Sequence, residues 1–178
     1  MNSHKYKNEN YSFRQIRDLK GMVNTSAELY SDMKAFMVKN APGGTYVPIT
    51  YTQLKTDIDE LGTALMDLGL TGQKIAVIGE NRYEWVLTYL AVVNGVGVIV
   101  PLDKELPSEE VHNLLERAEV TAIIYSSKVG FVIEEASKGI ESIEYIISMD
   151  TLEHTENKLS MKKLQQAGKR LLLEGKRN

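Results

Sequence analysis

Apolar residues in this chain fall into two kinds of run. Residues 74–79 (KIAVIG) and 96–100 (VGVIV) are short, rich in β-branched side chains and bounded by Gly or Pro, the form of strands buried on both faces. Between them, residues 83–93 are apolar on almost every side of a helical wheel. That predicts a helix packed from several directions, with Asn81 offering a cap oxygen and Glu84 three places on. Asn94-Gly95 stops the helix, and Pro101 ends the second strand. Strand, helix, strand in about 30 residues predicts a βαβ unit, its strands parallel and its crossover right-handed.

The rest of the chain wraps around that unit. Residues 1–20 are a polar arm of mixed charge. Residues 24–39 predict a helix on Leu29, Met33, Phe36 and Met37, capped by Thr25 or Ser26. Pro42-Gly43-Gly44 breaks the chain, and residues 46–49 form a short strand. Thr50 and Gln53 fit a capping box, followed by Leu54, Ile58, Leu61, Leu65 and Leu68 on one helical face. Gly69 ends that helix in the left-handed conformation. Asp57, Asp59, Glu60 and Asp67 lie off the apolar face and read as a solvated acidic surface. Pro107, Glu109 and Glu110 open another helix, with Val111, Leu114, Leu115 and Ala118 inward. Residues 120–125 form a third strand, 131–137 a helix, 144–148 a fourth strand and 160–174 a last helix on Met161, Leu164, Ala167, Leu171 and Leu172. This alternation defines an α/β fold: a mostly parallel sheet with helices on both faces. Residues 1–44 form an arm and helix, residues 45–178 the α/β subdomain.

Composition narrows the class. A chain of 178 residues suffices for one domain burying roughly 70% of its unfolded surface. Its formal net charge of −3 gives no basic stripe for nucleic acid. With no cysteine there is no disulfide framework or thiolate metal site, which fits a cytoplasmic setting. The first 13 residues lack the apolar core of a signal peptide. Residues 85–102 carry no charge, but Asn94, Gly95, Gly97 and Pro101 within them point to two buried elements and a turn, not a membrane span.

Ligands of open α/β sheets sit beyond the carboxyl ends of the strands, where three turns qualify: residues 79–82, 101–104 and 126–128. None has a dinucleotide fingerprint; Gly95-Val96-Gly97 lacks the third glycine and precedes a strand. Gly43-Gly44 is followed by no Lys-Ser/Thr pair. Glu80, Arg82 and Glu84 read as helix capping and surface ion pairs. Ser126, Ser127 and Lys128 form a polar loop equally able to touch an anion. His4, His112 and His154 are scattered, without metal-ligand spacing, and His112 reads as helix surface. Asn10-Tyr11-Ser12 and Asn24-Thr25-Ser26 match the glycosylation pattern, which has no meaning without a secretory signal. No catalytic, cofactor-binding or metal-binding residue is assigned.

In order along the chain, Thr50-Tyr51 with Leu54, residues 72–78, Glu80-Asn81-Arg82-x-Glu84-Trp85, Leu90-Ala91, residues 95–102, Glu110 and Leu114-Leu115 resemble the adenylate-forming superfamily of acyl-CoA synthetases, luciferases and peptide-synthetase adenylation domains. The Glu-Asn-Arg-x-Glu-Trp run with Val100-Pro101-Leu102 is most similar to long-chain fatty acid–CoA ligases. The likeness covers residues 45–128 well, and 17–39 and the last helix more loosely; Gln73 departs from the Asp of many members. It implies two-step chemistry: a carboxylate attacks the α-phosphate of Mg-ATP, pyrophosphate leaves, and the thiol of coenzyme A takes the acyl group. The family holds the phosphates on a Ser/Thr/Gly-rich loop ending in Pro-Lys-Gly, and no such run occurs in these 178 residues. The resemblance places it, with the adenine-binding segments and the C-terminal domain, after Asn178.

The expectation is therefore the N-terminal portion of an AMP-forming long-chain fatty acid–CoA ligase, inactive by itself, with fatty acid, ATP, Mg and CoA belonging to the full-length parent. The parent is cytoplasmic or peripheral to a membrane, without a transmembrane segment. Two alternatives stay open: a natural short α/β binding or assembly module without catalysis, and a different Rossmann-like nucleotide binder. A partial sheet implies an open edge or apolar patch, and so a homo-oligomer or domain swap.

Overall fold

A computed structural model describes residues 14–39, 41 and 43–176. Residues 1–13, Asn40, Pro42, Arg177 and Asn178 lie outside the described residues, and with them most of the polar arm, His4 and the Asn10-Tyr11-Ser12 triplet.

The apolar runs make the sheet. Strands β3 (Lys74–Ile78), β4 (Val98–Leu102), β5 (Ala122–Tyr125), β6 (Tyr145–Ser148) and β7 (Leu159–Ser160) lie in the order β4-β3-β5-β6-β7, every pair parallel. Ile75 stands opposite Ile99 on one side and Ala122 on the other. The expected parallel pairing of the two apolar runs is thus present, with the second strand shifted two residues later. Pro101 does not end β4 but lies inside it. An edge strand tolerates this, because one of its sides needs no N–H. Helix α3 (Tyr83–Ala91) passes into a π-helical turn, Val92–Val96, where Gly95 takes φ 140°. Arg82, not Asn81, is the N-cap of α3, and no side chain bonds there.

Alternate strand residues feed two cores. Ile75, Val77, Ala122, Ile124 and Ile147 pack with helices α2 (Tyr51–Asp67), α3 and α6 (Met161–Leu173). Ala76, Ile78, Ile123 and Tyr125 pack with α4 (Ser108–Ala118) and α5 (Gly130–Ala136). Helices therefore cover both faces, as the alternation predicts. In α4, Val111 and Leu115 face the core, but Leu114 is exposed. Among the described residues no helix is long and apolar enough to cross a membrane.

Residues 24–39 are not one helix. Helix α1 spans Leu19–Leu29, capped by Asp18, whose carboxylate accepts the Gly21 N–H at 2.6 Å. Strand β1 (Lys34–Lys39) then pairs antiparallel with β2 (Tyr46–Thr50). The 3–4 spacing of Met33, Phe36 and Met37 suits a helix, but pairing with residues 46–50 decides for a hairpin. Thr50 caps α2 by accepting the Gln53 N–H at 3.1 Å. Only half the capping box forms, because the Gln53 side chain reaches forward to Asp57 at 2.7 Å. Gly69 follows with φ 83°.

The acidic residues of α2 correct a second expectation. Asp57 and Glu60 are buried, not solvated. Asp57 accepts from Gln53, from the Tyr83 hydroxyl at 2.6 Å and from Gln165 of α6 at 3.0 Å; Glu60 accepts from Gln165 at 3.2 Å. Helix α6 comes this close because residue 168 is Gly: a Cβ there would lie 1.7 Å from the Glu60 carbonyl oxygen.

Candidate strand-end site and its relatives

From β3 the chain steps to β4 on one side, then crosses to β5 on the other. The loops leaving β3 and β5 therefore diverge to opposite faces of the sheet, and the crevice between them is the switch point where such sheets bind ligands. The β3 loop brings Glu80, Arg82 and Glu84; the β5 loop brings Ser126, Ser127 and Lys128. Asp150, just past β6, completes the group.

These side chains are laced together. The buried Ser126 hydroxyl donates to Glu80 Oε2, and Lys128 Nζ lies 3.5 Å from Glu80 Oε1. Arg82 donates through Nε to Glu84 at 2.7 Å and through Nη1 to Asp150 at 2.6 Å. Asp150 also accepts the Ser127 N–H at 2.7 Å. Burial pushes the Asp150 carboxyl upward, but the bonds from Ser127 and Arg82 outweigh it and hold the group below the usual carboxylate range. Glu80 behaves alike: burial raises it, and the Ser126 hydroxyl with nearby Lys128 and Arg82 brings it lower. Arg82 is opposed by burial yet held above its ordinary value by Glu84 and Asp150.

Six of these seven residues lie in or beside the strand-end turns marked out by the sequence, where they read as capping, surface ion pairs and a polar loop, and the structure brings them together. The turn at residues 101–104 does not join: Lys104 pairs with Glu105. Asp150 escapes the sequence reading, although the strand-end rule applied to the fourth strand finds it. His112 is not plain helix surface; its Nδ1 lies 2.9 Å from the Ala136 carbonyl oxygen and ties α4 to α5.

The carboxylates of Glu84 and Asp150 engage two of the Arg82 nitrogens, Nε and Nη1. Among the described residues no three His, Asp or Glu side chains stand close enough to hold a metal ion. The group is a clasp across three strand ends.

A larger cleft, about 630 Å³, lies between β1 and the start of α3. Phe36 meets Tyr83 edge-on with ring centroids 5.5 Å apart, and Trp85 stacks on Tyr89 at 5.8 Å. Burial raises the Tyr83 hydroxyl pKa, and its bond to Asp57 raises it further.

Fold and strand-end architecture define an α/β domain of the open parallel type. The chain belongs to the AMP-binding enzyme family, whose model matches residues 23–174. It is similar to Long-chain-fatty-acid–CoA ligase 5 of Mus musculus, 30% identical over 115 residues, 61% of this chain and 17% of that protein. It is equally similar to D-alanine–D-alanyl carrier protein ligase of Streptococcus pneumoniae (strain 70585), 30% identical over 117 residues, 65% of this chain and 22% of that one. Coronafacic Acid Ligase of Pectobacterium brasiliense shares the fold, with a TM-score of 0.74 and 23% identity over 84% of this chain and 29% of that structure. The chain thus spans about a fifth of the length of the curated relatives it matches. The matching part is the N-terminal part of AMP-forming acyl-CoA and adenylate ligases.

Proposed function

We propose that these residues are scaffold for an AMP-forming acid–thiol ligase, whose full-length form joins a long-chain fatty acid to CoA at the expense of ATP. The observation that supports this reading is the pairing of a family match over residues 23–174 with a switch-point crevice whose only guanidinium is already bound to two carboxylates. The segment builds sheet and helices, and the groups that grip nucleotide belong to other parts of the ligase. Within this reading residues 1–44 are the arm and residues 45–178 the α/β unit, the protein is cytoplasmic or membrane-peripheral, and exposed apolar residues such as Val98 and Phe131 bring copies together. The long-chain choice rests on the Glu80–Trp85 run and on one of two equally similar relatives.

The test is pyrophosphate release from ATP with palmitate, octanoate or D-alanine, by the 178-residue protein and by the protein encoded by its complete reading frame. The 178-residue protein should release none. The longer protein should release it, fastest with palmitate. Release by the 178-residue protein, or micromolar ATP binding to it by calorimetry, overturns the scaffold reading; a preference for D-alanine or octanoate overturns only the choice of acid.

A further inference from the structure

Asn94-Gly95 is the only Asn-Gly pair in the 178 residues. In an unfolded chain such a pair is the most open to attack on the side-chain amide by the next backbone nitrogen, because glycine carries no Cβ to hinder the approach. Here the pair lies in the π-helical turn Val92–Val96 that joins α3 to β4. The turn requires its glycine: Gly95 takes φ 140° and is the one non-helical residue in it. Asn94 is only 3% exposed, with Val92 and Val96 buried on either side of it. Its Oδ1 meets no donor among the described residues.

The folded turn blocks that reaction in three ways. Burial keeps water, which the reaction consumes, from the carboxamide. Asn94 holds helical φ and ψ, and closing a ring through the Gly95 nitrogen needs its ψ to leave that range. Hydrogen bonds also pin the backbone: the Gly97 N–H donates to the Val92 carbonyl at 3.1 Å, and the Gly72 N–H to the Val96 carbonyl at 2.7 Å. Val92 and Val96 share a core with Val23, Leu54 and Ile58. All these contacts lie inside the sheet-and-helix unit, so the block depends on no exposed edge or cleft.

We propose that Asn94-Gly95 is a latent self-modification site that reacts only when this turn opens, and whose products cannot return to the folded seat. In the open turn the Gly95 nitrogen gives its proton to solvent and bonds to Asn94 Cγ. The Cγ–Nδ2 bond breaks, and ammonia leaves with a proton taken from solvent. Water then opens the cyclic imide: attack at Cγ gives aspartate at position 94, and attack at the backbone carbonyl gives isoaspartate. One water enters and one ammonia leaves, with no oxidant or reductant. Aspartate brings a charge to a place where a neutral oxygen already lacks a donor, and an unpaired charge is far costlier to bury than an amide. Isoaspartate adds a carbon to the main chain of the turn. The chain just beyond has no slack, since even a Cβ at Gly97 would lie 2.3 Å from the Gln73 carbonyl oxygen. A turn that opens and reacts is thus lost to the folded population, whichever acid the ligase uses.

The 178-residue protein is held in mildly alkaline buffer, with and without guanidinium chloride, and mapped by proteolysis and mass spectrometry. In denaturant Asn94 should convert faster than Asn24, Asn81, Asn113 or Asn157, none of which precedes a glycine. In buffer it should convert at least about tenfold more slowly than in denaturant, because a buried segment reacts only through its opened fraction. After dilution from denaturant, the refolded protein should carry Asn94 intact, and the product should collect in the fraction that fails to refold. Asn94→Asp should lower the urea midpoint or fail to fold, while Asn94→Ala, which removes the unmet oxygen, should fold. If neither variant folds, the partition of the modified parent protein decides. The proposal fails if Asn94 converts as fast in buffer as in denaturant, or no faster than the other asparagines in denaturant. It fails equally if refolded protein carries the product in full proportion, or if Asn94→Asp matches the parent's midpoint.

Discussion

Replacing Gly168 by Ala tests the close seat of α6 on α2. The added Cβ would lie 1.7 Å from the Glu60 carbonyl oxygen, 2.7 Å from the carbonyl carbon and 3.2 Å from the Ala64 nitrogen. A carbon normally keeps about 3.3 Å from a carbonyl oxygen. The obstacle is backbone, so no rotamer change relieves it, and α6 must back away by well over an ångström. Overpacking costs about 1–3 kcal/mol, and this case belongs at the upper end. Ala favours a helix interior by about 1 kcal/mol over Gly, leaving a net loss of about 2 kcal/mol. Moving α6 also draws Gln165 away from buried Asp57 and Glu60, and unmet buried groups cost about 1–3 kcal/mol. A total of about 3–5 kcal/mol lowers Tm by roughly 6–20 °C for a chain of this size. Scanning calorimetry of Gly168→Ala beside Gln166→Ala, an exposed site on the same helix, measures it. If Gly168→Ala melts at or above the parent protein, the packing argument is wrong.

Two further outcomes follow from the clasp and from the β3–β4 junction. Asp150 and Glu80 are held below their ordinary values in the folded state, so the unfolded chain takes up protons first on acidification. Their stabilisation is complete above about pH 5 and is lost as pH falls through the ordinary carboxylate range near 4 towards their folded values. Arg82→Ala should cost about 1 kcal/mol at neutral pH, since its partners are partly exposed, and should flatten that acid limb in urea unfolding; an unchanged slope refutes the assignment. Gly97→Ala would set a Cβ 2.3 Å from the Gln73 carbonyl oxygen. It should lower the urea midpoint by an amount equivalent to about 1–3 kcal/mol, and an unchanged midpoint would show that the turn yields.

What could be read from the sequence was local. Thr50 and Gly69 announce the ends of α2 through their own chemistry, and the β-branched runs of β3 and β4 declare a buried parallel pair. The larger failures involve distant partners. Residues 34–39 have helical spacing, and only the strand at residues 46–50 makes them extended. Asp57 looks solvated until Gln165, 108 positions on, is packed against it. Glu80 and Ser126 were visible as strand-end residues, but nothing within either turn tells that they bond to each other and shut the crevice. Asp150 lay within reach of the same rule, applied one strand further.

The order of strands in the sheet has a consequence for how the protein is made. Ile75 must wait for Ala122, its partner on the inner side of β3, while the π-helical turn, β4 and α4 are synthesised between them. At about 5–20 residues per second, this leaves the centre of the future sheet half-bare for roughly 2–9 s on the ribosome. Helix α3 and β4 shield one flank during that interval; the other holds Ile75, Ala76, Val77 and Ile78 open to any sticky neighbour. Nascent chains whose emerged part ends between Asp103 and Val120 should therefore recruit holding chaperones, and release them once Tyr125 has cleared the exit tunnel.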